Sequence, residues 1–425
     1  MLERGTGIAT YARGLASALR TAGYATDALV STNRRLPKDD RALAETILFD
    51  GPRSYNLVHT GYIEWRRFVG APFGLRAGML DRPGGMVIGR QGALSGFERI
   101  HAVPHLLEVE RLHFKRRKSR LTIKLEKPCD LFHTTRPAPL HIRGVPNVYT
   151  IHDIVPLRLP YTTADDKPYF AAMIRDLAQR ADHIVTVSEF SRQDIIAFTG
   201  MDPKRITNTY QAVGFPGELT GRSIDDVATA LSERHGLTYK DYYLFVGAIE
   251  PKKNISRLID AYGASGVKRP LAIAGGLGWM YDGDLERING ERFLTYSLQG
   301  RTIIPHRRVR RLSYLPLQDV VDLIRGARAL LYPSIYEGFG LPVAEAMLLG
   351  TPVLTSNVAS LPEVAGGAAE LVDPYDIDAM SRAIRKLDAD DDVLADMTSR
   401  GLVAATRFSP AEFSRKCHDV YATLF

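Results

Sequence analysis

Two glutamates, Glu337 and Glu345, bracket a glycine-rich bend in the stretch PSIYEGFGLPVAE (333–345). The preceding RALLYPS (328–334) reads as a buried strand, and EGFG makes a turn whose backbone a ligand can approach closely. Pro342 suits the first turn of a helix, where its missing N–H costs nothing. Free amides and the positive end of that helix then lie at the carboxyl edge of the strands, where a diphosphate is attracted. Two carboxylates beside an anion site are poor phosphate ligands. They are matched instead to hydroxyls, since one carboxylate accepts bonds from two neighbouring sugar hydroxyls. A second constellation, His152-Asp153, follows the strand-like NVYTI, again at a carboxyl edge. Ser188, Glu189 and Arg192 follow HIVTV, either capping the next helix or touching a ligand.

The elements that must position these residues fall into two series. Short β-rich runs occur at YNLVH, CDLFHT, NVYTI, HIVTV and ITNTY, with helical patterns over 8–22, 165–181 and 189–198. A second series runs through YYLFVG, LAIAG, RALLYPS, PVLTS and AELVD, with a helix over 255–262 and a final helix over 410–424. Nearly continuous apolar strands alternating with helices predict parallel sheets covered on both faces. The expected fold class is α/β with two Rossmann-like domains, residues 1–212 and 213–405, and a C-terminal helix in 406–425 packing back toward the first. VGFPGELTGRSIDD (213–226) reads as the linker. Gly5, Gly7 and Tyr11 open a helix with no strand before it, so the expected native start lies upstream of Met1.

The chain has 425 residues, with 45% apolar and 24% charged residues, an ordinary composition for a globular protein of two or three domains. No apolar run approaches the ~18–20 residues of a membrane span, and the N-terminus lacks a secretory pattern. Cys129 and Cys417 are too few for a disulfide framework, which makes a cytoplasmic setting the expectation. The net charge of +7 favours phosphorylated ligands or an anionic surface. It concentrates in Arg111, Lys115, Arg116, Arg117, Lys118, Arg120, Lys124 and Lys127, and again in Arg307, Arg308, Arg310 and Arg311. Each cluster reads as a solvated face or as a binding surface. The carboxylate pairs Asp282/Asp284, Asp376/Asp378 and Asp388/Asp390 have a spacing that can hold Mg²⁺ or Mn²⁺, but read as structural.

Glu337 and Glu345 within EGFGLPVAEAMLLGTPV, followed by SLPEVAGGAAELVDP, resemble the signature of family 4 retaining glycosyltransferases, which have the GT-B fold. GTGIATYARGL, TIHDIVPLRLP, VTVSEFSRQDI, FVGAIEPKKNISRLIDAY and AGGLGW extend the resemblance over nearly the whole chain, most weakly from Ile63 to Lys127. The resemblance implies an acceptor-binding first domain and a nucleotide-sugar-binding second one. Glu345 would hold the ribose hydroxyls. Glu337 would face the donor hexose, with the amides of Phe339, Gly340 and Leu341 near sugar and phosphate. Lys253 would neutralise the leaving diphosphate. Many relatives carry arginine where this chain has Ala248, so Lys252 is the expected second cation. His152 would lie beside the donor sugar, Gly7 would admit the donor phosphate, and Arg192 would touch the ligand.

The implied activity is hexosyl transfer with retained configuration to a glycan or lipid-linked glycan in bacterial polysaccharide synthesis. HDIVPL, EPKKN and AGGLGW resemble a mannosyltransferase-like subgroup, which makes GDP-mannose the first expected donor. No cofactor and no obligatory metal are expected, and no nucleic acid partner. Arg111–Lys127 could hold the enzyme peripherally on the cytoplasmic face of an anionic membrane. The alternatives are a non-catalytic module that binds polyanions or membranes on the same fold, and a nucleotide-sugar epimerase.

Overall fold

The computed structural model describes residues 7–37, 39–50, 61, 62, 65, 71–81, 87, 96–299, 302–313 and 315–425. Gly5 and the expected strand YNLVH (55–59) lie outside them.

The second half of the chain is built on a six-stranded, wholly parallel sheet. Its order is Val309–Leu312, Leu271–Ala274, Tyr243–Val246, Ala329–Tyr332, Val353–Ser356 and Glu370–Val372. The central strands read YLFV, LAIA, ALLY and VLTS because helices cover both faces, and nearly every side chain in them is buried. The helix Ile377–Ala389 turns Met380, Ala383, Ile384 and Leu387 inward and packs against the helix Ile255–Ser265. Full burial of Met380, Ile384 or Leu387 stabilises the fold by about 1.5–3 kcal/mol each.

In the first half, Ile206–Asn208, His183–Thr186, Asn147–Thr150 and Phe132–Thr134 form a four-stranded parallel sheet in that order. A three-stranded parallel set joins Leu75–Arg76, Leu121–Lys124 and Leu140–His141. A further sheet pairs Asp27–Thr32 with Arg99–Pro104 in parallel, and Gly78–Asp81 antiparallel to the latter. That antiparallel strand departs from the all-parallel expectation. So does the hairpin Leu294–Gln299/Thr302–Arg307.

The chain passes between the halves without regular structure over 209–216, where the Val213 amide donates to the Phe408 carbonyl at 2.8 Å. The expected linker is shorter than 213–226. Ser223 caps the helix Ile224–His235 by accepting from the Asp226 amide, which places Asp225 and Asp226 in its first turn. The helix Pro410–Ala422 lies on the helix Gly7–Thr21, where Ser414 donates to the Ala18 carbonyl at 2.7 Å. Its Val420 and Tyr421 pack against Val148 and Val185 of the four-stranded sheet. Among the described residues, no helix is long and apolar enough to cross a membrane.

Candidate active site

Three loops at the carboxyl edge of the six-stranded sheet converge. The strand Tyr243–Val246 runs into Glu250 and the tight turn Pro251–Lys253. Asn254 then takes a left-handed conformation, and its carboxamide donates to the carbonyls of Pro333 at 3.0 Å and Pro374 at 2.7 Å. The Ile335 amide donates to the Lys252 carbonyl at 2.8 Å. These bonds hold the EPKKN loop against the loop that carries Glu337.

Between the loops lies a compact ion cluster. Glu337 Oε1 accepts from Lys253 Nζ at 2.5 Å, the Tyr332 hydroxyl at 2.8 Å and the Ser334 hydroxyl at 2.7 Å. Lys252 Nζ stands 4.0 Å from Glu337 Oε2 and 3.6 Å from Glu250 Oε1. Burial alone would raise the Glu337 pKa, but the Lys253 and Lys252 ammoniums, with hydrogen bonds from Lys253 and Ser334, hold it at about 2. Burial opposes the charge on Lys252, yet attraction from Glu337 leaves its pKa raised. Burial raises the Glu250 pKa against the pull of both lysines. Two cations and two anions thus hold one another in a water-poor pocket, where an isolated charge would be costly.

The expected roles gave Lys253 to phosphate and Glu337 to sugar as separate tasks, whereas the structure makes them an ion pair. Glu250, Tyr332 and Ser334 were not singled out from the sequence. The acid in EPKKN was the available signal for the first, but its role depends on a contact across the sheet edge.

Gly340 introduces the helix Leu341–Leu348 in a left-handed conformation (φ 97°), and no side chain caps that helix. Pro342 has no amide and the Val343 and Ala344 amides turn back to the Gly340 carbonyl, whereas the amides of Phe339, Gly340 and Leu341 have no acceptor among the described residues and are open to an anion. Phe339 itself is core, with its ring edge-on to Phe408 at 5.1 Å, so only its backbone is offered. Glu345 lies on this helix, half-buried, with no side-chain hydrogen bond or ion pair among the described residues. Burial pushes its carboxyl up to about 8. This is a carboxylate with no protein partner among the described residues, beside an anion-seeking helix end, as a ligand-binding acid would be.

The first half closes over the same loop. A Cβ on Gly338 would come within 2.7 Å of the His152 carbonyl oxygen and 3.0 Å of Asp153. Ser188 caps the helix Glu189–Thr199 by accepting from the Ser191 amide, and donates to the Gly338 carbonyl at 2.6 Å. The Glu363 carboxylate accepts from the amides of Glu189 at 2.8 Å and Phe190 at 3.1 Å. Gly338→Ala should therefore separate the two halves at the loop. The expected result is turnover lowered by at least tenfold, with the far-ultraviolet circular dichroism unchanged.

His152 meets the loop through its backbone. Its Nε2 is 2.9 Å from the Thr135 carbonyl, and its ring stands edge-on to Tyr11 at 4.7 Å. Burial lowers its pKa and keeps the ring neutral, with Nε2 as the donor. Gly7 begins its helix in open space. Arg192 is not delivered to this group. Its guanidinium is taken up by Glu189 at 2.9 Å and by the carbonyls of Ile206 and Pro203.

Many residues of the remaining charged motifs have partners within the fold. Asp376 and Asp390 cap helices, Asp388 holds Tyr243 and Arg269, and Asp284 accepts from Ser256. Arg307, Arg308 and Arg310 donate to backbone carbonyls. Within the other cluster, Lys115 pairs with Asp166, Arg120 with Asp176 and Lys127 with Asp81.

Comparison with known proteins bears directly on this geometry. The family described as "Glycosyltransferase Family 4" matches residues 83–213, and "Glycosyl transferases group 1" matches residues 229–402. The O-antigen chain mannosyltransferase B of Escherichia coli is 35% identical over 285 residues, covering 65% of this chain and 70% of that protein. The chain belongs to the family 4 glycosyltransferases. The serotype-specific mannosyltransferase WbdA of Escherichia coli is 28% identical over 272 residues, covering 62% of this glycosyltransferase. That match spans only 31% of WbdA's own length. The sucrose-phosphate synthase of Thermosynechococcus elongatus superposes with a TM-score of 0.63 over 99% of this chain and 94% of that one, at 17% identity. The shared architecture is GT-B, with two α/β halves facing each other across the loop that carries Glu337.

Proposed function

We propose that this glycosyltransferase transfers mannose from GDP-mannose to a hydroxyl of a glycan or lipid-linked glycan in bacterial surface polysaccharide synthesis, with retention at the anomeric carbon. The observation that carries the proposal is the pairing of two functions at one edge. The Lys252 and Lys253 ammoniums, balanced by Glu250 and Glu337 before a ligand arrives, and the amides at the helix start supply donors for an anion, and Glu345 supplies a carboxylate with no partner among the described residues. Diphosphate fits the first and ribose hydroxyls fit the second. The choice of mannose is supported by two relatives, both mannosyltransferases.

In the proposed reaction the C1–O bond to the diphosphate breaks and a bond from C1 to the acceptor oxygen forms on the same face. The acceptor proton passes to the departing phosphate oxygen, and negative charge builds on the diphosphate. Lys253 and the helix amides stabilise that charge, and closure of the halves excludes water. His152, neutral and already donating from Nε2, lines the sugar and holds the loop. In this scheme, charge stabilisation comes from the protein's own lysines and amides, with no cofactor and no obligatory metal. The enzyme would work peripherally at the cytoplasmic membrane face, where lipid-linked acceptors are presented.

A panel of GDP-mannose, GDP-rhamnose and UDP-hexoses read by thermal shift, with product analysis by NMR, tests the reading. Stabilisation by GDP-mannose and an α-linked product are expected; an inverted product or selective response to a UDP-hexose overturns it. Lys253→Ala should slow turnover by about 10²–10³-fold, the effect of losing one preorganised charge at a leaving group. Turnover within twofold of wild type would remove Lys253 from the mechanism.

A further inference from the structure

A second basic site lies away from the carboxyl edge. Arg117, Arg120, Arg143, Arg180, His113 and His141 line a cavity of about 270 Å³ in the first half. Arg120 directly precedes the strand Leu121–Lys124, and Arg180 ends the helix that leads into the strand His183–Thr186. The cavity therefore opens near the amino ends of these strands, whereas His152 and Ser188 follow the carboxyl ends of theirs.

The arginines divide into two kinds. Arg120 and Arg180 are fixed: both approach Asp176, at 3.7 and 3.2 Å, and Arg120 donates to the Tyr149 hydroxyl at 2.9 Å. Arg117 and Arg143 are exposed and have no hydrogen-bond or ion-pair partner among the described residues. Among the described residues, Asp176 thus neutralises two of the four guanidiniums. His141 Nε2 stands 3.3 Å from the Thr122 hydroxyl, while its Nδ1 is buried without a partner. Burial, and then the charges of Arg120, Arg143 and Arg180, lower the His141 pKa to about 4. A site with positive charge uncompensated among the described residues and an orphaned ring nitrogen is built to receive a ligand with several acceptor oxygens. Planar guanidiniums in such a group match phosphoryl oxygens in pairs.

We propose that this cavity is a phosphoryl-anion site, separate from the donor site, that takes a phosphate monoester or diphosphate through Arg117, Arg120, Arg143 and Arg180. The ligand is either the phosphate of a soluble molecule or the headgroup of a lipid. The site goes beyond the donor reading and does not depend on which sugar is transferred.

The test compares wild type, Arg117→Gln/Arg143→Gln and Lys253→Ala by calorimetric titration with inorganic pyrophosphate, and by sedimentation with vesicles. The vesicles are phosphatidylcholine alone or with phosphatidic acid. Both substituted arginines are exposed, so the double variant should fold, and unchanged turnover of donor confirms that it has. Pyrophosphate should occupy two sites on wild type. The double variant should lose one of them, with affinity at least tenfold weaker, and Lys253→Ala should keep it. In wild type, ring NMR signals of His141 should titrate at higher pH when pyrophosphate is present. Cosedimentation with phosphatidic acid that the double variant loses identifies a lipid source; pyrophosphate binding without cosedimentation identifies a soluble one. Pyrophosphate isotherms and vesicle binding that are the same in wild type and the double variant overturn the proposal, whatever the fate of the donor reading.

Discussion

Glu345→Gln should make the ligand-free protein more stable while making it a worse enzyme. Burial raises the Glu345 carboxyl to about 8, and no partner among the described residues offsets it. The folded chain holds this proton more tightly than the unfolded chain, whose glutamate titrates near the ordinary value of about 4.3. The sign follows: the advantage of the proton is complete below that value. Stability is then lost as pH rises from there to about 8, and is constant above. At pH 7 the loss is about 2–3 kcal/mol, allowing for the group's partial exposure. Glutamine keeps the shape and removes the penalty, so the melting temperature at pH 7–8 should rise by several degrees and the rise should vanish near pH 4. Donor affinity should fall about tenfold, or ~1.4 kcal/mol, because charge-assisted bonds to hydroxyls become neutral ones. Wild-type donor affinity should improve with pH up to about 8 for the same reason. An equal melting temperature at pH 7.5 would show that the carboxylate is satisfied.

Glu337→Gln should have the opposite effect on stability. It leaves Lys253, 2.5 Å away, without its counter-ion, and turns a neutral cluster of two lysines and two glutamates into one of net positive charge. Removing one member of a buried pair costs about 3–5 kcal/mol. Here the pKa of Glu337 is depressed to about 2, so its stabilising contribution is full above the unfolded value and fades as pH falls toward 2. The variant should therefore melt lower at pH 7, and the gap should close in acid. Millimolar pyrophosphate should restore part of the loss by occupying the unbalanced cations, a rescue that wild type shows less strongly. Turnover should fall with it. If Glu337→Gln melts like wild type at neutral pH, the ion cluster is not what holds these loops.

Much of this organisation was legible in the sequence for a physical reason. Runs such as LAIA and ALLY are apolar throughout, so they admit one reading, a strand buried on both faces. VRRL is a strand too, but it stands at the sheet edge, where its arginines reach solvent and nearby carbonyls, and no apolar run marks it. DALVST likewise lacks a fully buried run, since its positions are mostly half-buried. In the site, Glu337, Glu345 and Lys253 were readable from local motifs. Glu250 was not, because its meaning lies in a lysine pair facing a glutamate more than eighty residues away. Arg192 was misplaced for the converse reason: local carbonyls and Glu189 satisfy it within its own helix and the next loop. Spacing reports which residues share an edge; it does not report which charges neutralise one another there.

In the proposed function, the amide-lined bend and its lysines take the diphosphate while Glu345 takes the ribose. Calorimetric titration of GDP and 2′,3′-dideoxy-GDP into wild type and Glu345→Gln tests it most directly. Wild type should bind the dideoxy compound about tenfold more weakly than GDP, and Glu345→Gln should bind both at that weaker level. Equal affinity of wild type for the two nucleotides, or a ribose preference that survives in Glu345→Gln, would contradict the assignment.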